Sequence, residues 1–316
     1  MTTPERHPPN LHAMLKPGIG ATFYGDLPRD LDTPRGRDVI RSSDLVCLHT
    51  NADASDVQSA ALVRRINPSA RVWLAIPANP LSRLDLDRGR AAAIAEVKRS
   101  AAVARDMGAE LFELNGEGAS SGAVRGDWTF APGDAEERAR LESLGLDAVD
   151  AARSVFGGAI GWTSHDGVAS FRIPRGLLSR VHLHSPQHYP AQAGRVVNQR
   201  ELMARVAWSQ GQWEALSLTG AVPAVVAPHG ELWSPYLQGW GHTLGAMIWG
   251  LCEAPVARLW ACPGSWSPEA VEALACARKL RARAGFGGEA VENYQRARGL
   301  DADGIIGPRT LDSLRA

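Results

Sequence analysis

The stretch "LFELNGEG", Leu111–Gly118, decides how this chain folds. Phe112 and Leu114 alternate with Glu113, Asn115 and Glu117. A strand therefore sends the apolar pair to one side and the three polar groups to the other. A carboxylate on an interior face is costly unless it is paired or put to use. Gly116 and Gly118 flank Glu117 at the exit and leave room for a ligand. The segment thus reads as a buried strand that opens, at its C-terminal end, into a site.

Seven more runs share this form: Gly18–Gly25, Leu45–Thr50, Val72–Pro77, Ala159–His165, Arg180–Gln187, Val222–Gly230 and Ala257–Gly264. Near-continuous apolar runs of this length suit strands covered on both faces. Helical periodicity fills the gaps, most clearly at Leu86–Met107, Asp134–Phe156, Gln199–Leu218 and Ser234–Cys252. Ser267–Arg283 adds an N-cap serine followed by Pro268 and Glu269. Only a short helix fits "FRIPRGLLSR" after the fifth strand. Eight β-then-α units in about 265 residues predict an α/β (β/α)8 barrel. A doubly wound open sheet would want a glycine-rich phosphate turn after an early strand, and none is present.

The chain has 316 residues, 45% hydrophobic and 22% charged, with 34 basic and 34 acidic side chains. That balance argues against nucleic acid or an anionic membrane surface as the main partner. The four cysteines form no CxxC pair and read as buried thiols. The proline-rich N-terminus lacks the apolar core of a signal peptide, and no apolar run is long enough to span a bilayer. Synthesis in the cytoplasm, no membrane insertion and a monomeric state are expected.

Active sites of such barrels sit at the C-terminal ends of the strands. Tyr24 and His49 end the first two strands. Glu113, Asn115 and Glu117 end the fourth, and Asp166 follows the fifth. Gln187, His188 and Tyr189 follow the sixth; His229 and Glu231 follow the seventh. Glu117 and Glu231 would face each other across the mouth, the minimum equipment for glycoside hydrolysis. One would protonate the leaving oxygen and the other would act as nucleophile or activate water. Glu113 lies deeper and reads either as half of a salt bridge or as a reserve acid. Glu231 reads alternatively as an acid at a helix N-terminus. Ten tryptophans are many for this length. Trp162, Trp233 and Trp260, at strand ends, could stack on sugar rings, and Asn115, Asp166, Gln187, His188, Tyr189 and His229 could bind sugar substituents. The histidines could also supply zinc ligands, but there is no HExxH, and no GxSxG marks a serine nucleophile. No metal and no cofactor are expected.

The last stretch, "AVENYQRARGLDADGIIGPRTLDSL", has fixed offsets: Tyr294-Gln295, Gly299-Leu300, Asp303-Gly304, Gly307-x-x-Thr310 and a closing Leu314. Gly299 can cap a helix, Gly304 suits a tight turn, and Pro308 opens a helix. This pattern resembles the three-helix peptidoglycan-binding repeat, without the Asp-Gly turn that family carries earlier. About 30 residues cannot bury a stable core alone, so the repeat must lean on the barrel. The expected division is 1–266 for the barrel and 267–316 for its last helix merging into a reduced wall-binding module.

The barrel itself is similar to retaining glycosidase barrels, which place their carboxylates after strands four and seven. It departs from them because Gly116 separates Asn115 from Glu117. "SPQHYPAQ" resembles a Pro-Gln-x-Tyr signature of phage-type and glycosidase-like barrels. Together these resemblances imply a TIM-barrel peptidoglycan hydrolase of the endolysin type, a muramidase or glucosaminidase, acting on the wall after release or carried on a virion. A non-catalytic wall-binding or particle protein and a metal-dependent amidase are the alternatives.

Overall fold

The computed structural model describes residues 15–24, 27–76, 89–115, 135–165, 180–188, 196–215, 224–226, 241–261 and 266–316. Eight parallel strands close into a barrel: β1 (Gly18–Tyr24), β2 (Leu45–His49), β3 (Arg71–Ile76), β4 (Leu111–Asn115), β5 (Ala159–His165), β6 (Leu183–His188), β8 (Ala224–Val226) and β10 (Val256–Ala261). They follow chain order round the ring, and β10 pairs with β1. The remaining strands, β7 (Val196–Val197) and β9 (Gly241–His242), form a two-residue parallel ladder.

Helices return outside the barrel. They are α1 (Leu27–Leu31), α2 (Pro34–Arg41), α3 (Ala54–Ile66), α4 (Arg90–Asp106), α5 (Ala135–Val155), α6 (Gln199–Ala215), α7 (Leu244–Glu253) and α8 (Pro268–Ala284). Two short helices follow, α9 (Ala290–Ala297) and α10 (Pro308–Arg315). Local chemistry starts them, at α8 with the serine cap that was expected. Asp53 and Asp56 make a reciprocal capping box at α3, and Ser267 Oγ accepts from the Ala270 amide at α8. The loops after the fourth, fifth and seventh barrel strands lie outside the described residues.

Strand alternation splits the core into two layers. Outward residues such as Phe112, Leu114, Ile160 and Leu259 pack against the helices, while Leu45, Cys47, Trp73, Leu111 and Leu183 fill the barrel interior. Gly20 is required by this packing, because a Cβ there would stand 2.0 Å from the Leu45 carbonyl oxygen. Cys47, Cys252 and Cys276 are buried free thiols, with burial raising Cys47 and Cys252 each to about 12. Among the described residues no helix is long and apolar enough to cross a membrane.

The C-terminal segment is not a bead on a string. α9 and α10 pack on α8, and α9 also packs on α7. Ala290, Val291, Tyr294, Ile306 and Leu314 join the same buried cluster that lies between barrel and helices. A short segment too small to fold alone has thus borrowed the barrel's outer core.

Candidate functional site

Glu113 is fully buried, and its inward direction on β4 meets Arg258 from the opposite side of the barrel. Arg258 Nη2 donates to Glu113 Oε1 at 2.6 Å and lies 2.5 Å from Oε2. The Thr163 hydroxyl also donates to Glu113. Gly161 on β5 lies beside it: a Cβ there would stand 3.1 Å from Leu111 Cδ2 and at ordinary contact distance, 3.4 Å, from Glu113 Cγ. Burial alone would lower the Arg258 pKa, but the adjacent carboxylate outweighs it and holds the guanidinium charged. The guanidinium also lies between two indoles, 5.5 Å from the Trp73 ring and 5.6 Å from that of Trp260. The pair is net neutral, so it sets a polar but uncharged floor.

Above this floor the inward side chains become aromatic and polar. The rings of Tyr24 and His49 meet edge to face at 4.5 Å, and His49 leans on Trp260 at 5.0 Å. Burial, helped by the Arg258 charge, lowers the His49 pKa to about 3, so its imidazole is neutral across the physiological range. His49 is 2% exposed and Trp260 8% exposed. Among the described residues, Trp260 Nε1 has no hydrogen-bond partner, and Arg258 Nη1, Thr22 Oγ1 and the two ring nitrogens of His49 make no well-aligned hydrogen bond, Thr22 and Arg258 both lying beside the Cys47 thiol. Buried polar atoms left open in one place are rare in a settled core. Here they lie on inward positions of β1, β2 and β10, shielded from solvent among the described residues.

The expected site residues fall into four groups. Glu113, Asn115 and Trp260 lie on inward positions of β4 and β10, and Asn115 is buried one inward step beyond Glu113. Trp162 does not line the mouth as expected. It pairs in register with Leu114, is fully buried, and packs in the outer layer between strand and helix. Its place at a strand end misled because a shift of one residue along a strand reverses the face. Gln187 and His188 lie on β6, where their backbones pair with Ala224 and Val225 of β8. Glu117, Asp166, Tyr189, His229, Glu231 and Trp233 lie outside the described residues.

Arg258 was not anticipated. Its signal was present in "ARLWA": a charge inside an apolar strand needs an opposite partner, and Glu113 was the inward carboxylate on hand. Among the described residues no group of three or more His, Cys, Asp or Glu is placed to hold a metal ion.

The C-terminal pattern has its own geometry, centred on Gln295. Its amide nitrogen reaches Asp303 Oδ1 at 3.0 Å, the Ile305 carbonyl at 2.9 Å and Thr310 Oγ1 at 3.1 Å. Its amide oxygen accepts from the Gly304 N–H at 3.0 Å. One buried side chain thereby joins the helix, the Asp-Gly turn and the Gly-x-x-Thr helix start. Gly304 has φ +70, which explains glycine in that turn. The Leu300 amide donates back to the Gln295 carbonyl at 2.9 Å, closing α9 through Gly299 at φ +64. Tyr294 donates its hydroxyl to the Ser313 carbonyl at 3.0 Å and ties α9 to α10.

Comparisons with known proteins agree with both parts. The family described as a peptidoglycan binding domain matches residues 288–314. No curated protein matches the chain. Among solved structures, a GH113 β-1,4-mannanase is similar over 78% of this chain and 89% of its own, with 10% identity and a TM-score of 0.51. A GH18 chitinase from Pseudoalteromonas aurantia is similar over 82% of this chain and 99% of its own, with 9% identity and the same TM-score of 0.51. At this identity the likeness establishes fold alone. The chain therefore carries a peptidoglycan-binding repeat on a closed barrel of the kind that glycoside hydrolases use.

Proposed function

We propose that this protein is a peptidoglycan hydrolase that cleaves glycosidic bonds of the glycan strand. The observation that carries this reading is the joining of a peptidoglycan-binding repeat to a glycosidase-type barrel through a shared core. In this reading Glu117 and Glu231 are the acid/base pair at the mouth. Glu113 is held by Arg258 and Thr163, so the geometry favours a supporting role for it over that of reserve acid. It fixes the Arg258 guanidinium as a neutralised floor beneath the reacting sugar.

Trp260 and His49 then serve the substrate, with the Trp260 N–H and the neutral imidazole meeting sugar hydroxyl or amide oxygens. Asn115, Asp166, Gln187, His188, Tyr189, His229 and Trp233 complete the proposed set of sugar contacts. Muramidase or glucosaminidase action fits a substrate in which both sugars are N-acetylated. An endolysin-like enzyme, monomeric and reaching the wall after release or on a virion, is the setting we propose for it.

The non-catalytic wall-binding alternative is favoured by one observation: the described inward carboxylate of β4 is fully engaged in an ion pair. Zymography on purified walls separates the two. Clearing by the wild type that is lost in Glu117→Gln and Glu231→Gln supports hydrolysis. No clearing by the wild type supports the binding protein, and clearing abolished by a chelator supports a metal amidase.

A further inference from the structure

The repeat touches the barrel at two heights. A barrel helix begins at the mouth and ends at the base, because it returns antiparallel to the strand before it. α7 spans about 15 Å in that direction. At its base end, Arg281 of α8 donates to the Leu251, Ala254 and Pro255 carbonyls, and the Gly287 amide donates to the Cys252 carbonyl at 2.8 Å. α9 starts there and runs beside α7 towards the mouth.

At the mouth end the Asp-Gly turn is clamped. Gln199, the first residue of α6, donates through Nε2 to the Gly304 carbonyl at 2.6 Å and accepts through Oε1 from the Ile306 amide at 2.8 Å. Gln199 is 5% exposed, so this is a buried, two-point amide contact. Gly245, in the first turn of α7, fits beneath the same turn: a Cβ there would stand 2.7 Å from the Ile306 carbonyl oxygen. The β7–β9 ladder lies immediately before α6 and α7 in the chain, and the Thr243 amide donates to the Val197 carbonyl at 3.1 Å. The repeat's turn is therefore fixed to the rim itself, while Asp301, Asp303 and Arg309 remain exposed beside it.

We propose that the repeat is a rigid extension of the barrel mouth, with Gln199 as the positioning residue that makes one glycan strand meet repeat and mouth at a set spacing. The inference rests on the peptidoglycan reading given above. It assigns to Gln199 and Gly245 a function in substrate span rather than in chemistry. Two contacts held at fixed separation on one ligand raise affinity without any new contact, and only for ligands long enough to reach both.

The test measures the affinity of soluble glycan fragments, short and long, for wild type, Gln199→Ala and Gly245→Val, by calorimetry. Circular dichroism and melting monitor the fold, and hydrogen exchange at 303–306 reports release of the turn. Wild type should bind long fragments at least tenfold more tightly than short ones. Both variants should keep short-fragment affinity and lose that length advantage. Equal wild-type affinity for the two lengths would overturn the proposal, as would variants that release the turn and keep the advantage, or that weaken both lengths alike. A wild type that binds fragments and cleaves none counts against hydrolysis, while the length comparison still decides this inference.

Discussion

Glu113 Oε2 lies 2.5 Å from Arg258 Nη2, and neither side chain is more than 2% exposed. Two strands on opposite sides of the ring are thereby joined through the barrel axis. Removing one partner leaves a bare charge in the interior. Glu113→Gln or Arg258→Met alone should each cost about 3–5 kcal/mol, read from the midpoint of denaturant unfolding. The double replacement Glu113→Met/Arg258→Met should cost less than the sum. Single variants as stable as wild type would mean that the pair is not buried as described.

His49 gives the fold a pH dependence. Its pKa is about 3 in the folded chain against an ordinary 6.5. The unfolded chain therefore takes up a proton first as pH falls, and the folded state loses stability from about pH 6.5 down towards 3. The slope has an upper limit of about 1.4 kcal/mol per pH unit. Above 6.5 this contribution is fully present. Carboxylates titrate in the same window, so the readout is the difference between wild type and His49→Gln, whose pH–stability curve should be flatter.

Trp260 offers both a face and an N–H to the barrel interior. Trp260→Phe keeps an aromatic face and removes the unmatched donor. Affinity for soluble wall fragments should fall about five- to tenfold, the value of one hydrogen bond near 1 kcal/mol. Trp260→Ala should lose more, because the ring against His49 and Arg258 goes as well. Unchanged affinity in both variants would remove Trp260 from the sugar site.

Gln295 should matter to the repeat and little to the barrel. Gln295→Ala leaves the Gly304 amide, the Thr310 hydroxyl and the Ile305 carbonyl without their shared partner. Local opening of residues 299–310 should become easier by about 2–3 kcal/mol, seen as faster amide exchange there while β1–β5 stay protected.

The closed barrel was legible because each strand announces itself as a short apolar run between amphipathic segments. Gly18–Tyr24 and Leu45–His49 begin where the sequence places them. The repeat was legible through Gln295, Asp303, Gly304 and Thr310, and the structure explains why those positions are readable: they bond to one another. Trp162 was misplaced because composition does not fix the phase of a strand. Arg258 and His49 escaped notice as a pair because their meeting depends on the register of strands far apart in sequence. The clamp at Gln199 was equally hidden, since its partners lie 105 and 107 residues away.

The central claim is that this barrel cuts the glycan strand at a mouth served by Glu117 and Glu231. Its most direct test is the release of reducing ends from purified peptidoglycan by wild type, Glu117→Gln and Glu231→Gln. The account predicts release by the wild type and a loss of at least a hundredfold in each variant, with wall binding retained. No release by the wild type, or release that survives both substitutions, would contradict it.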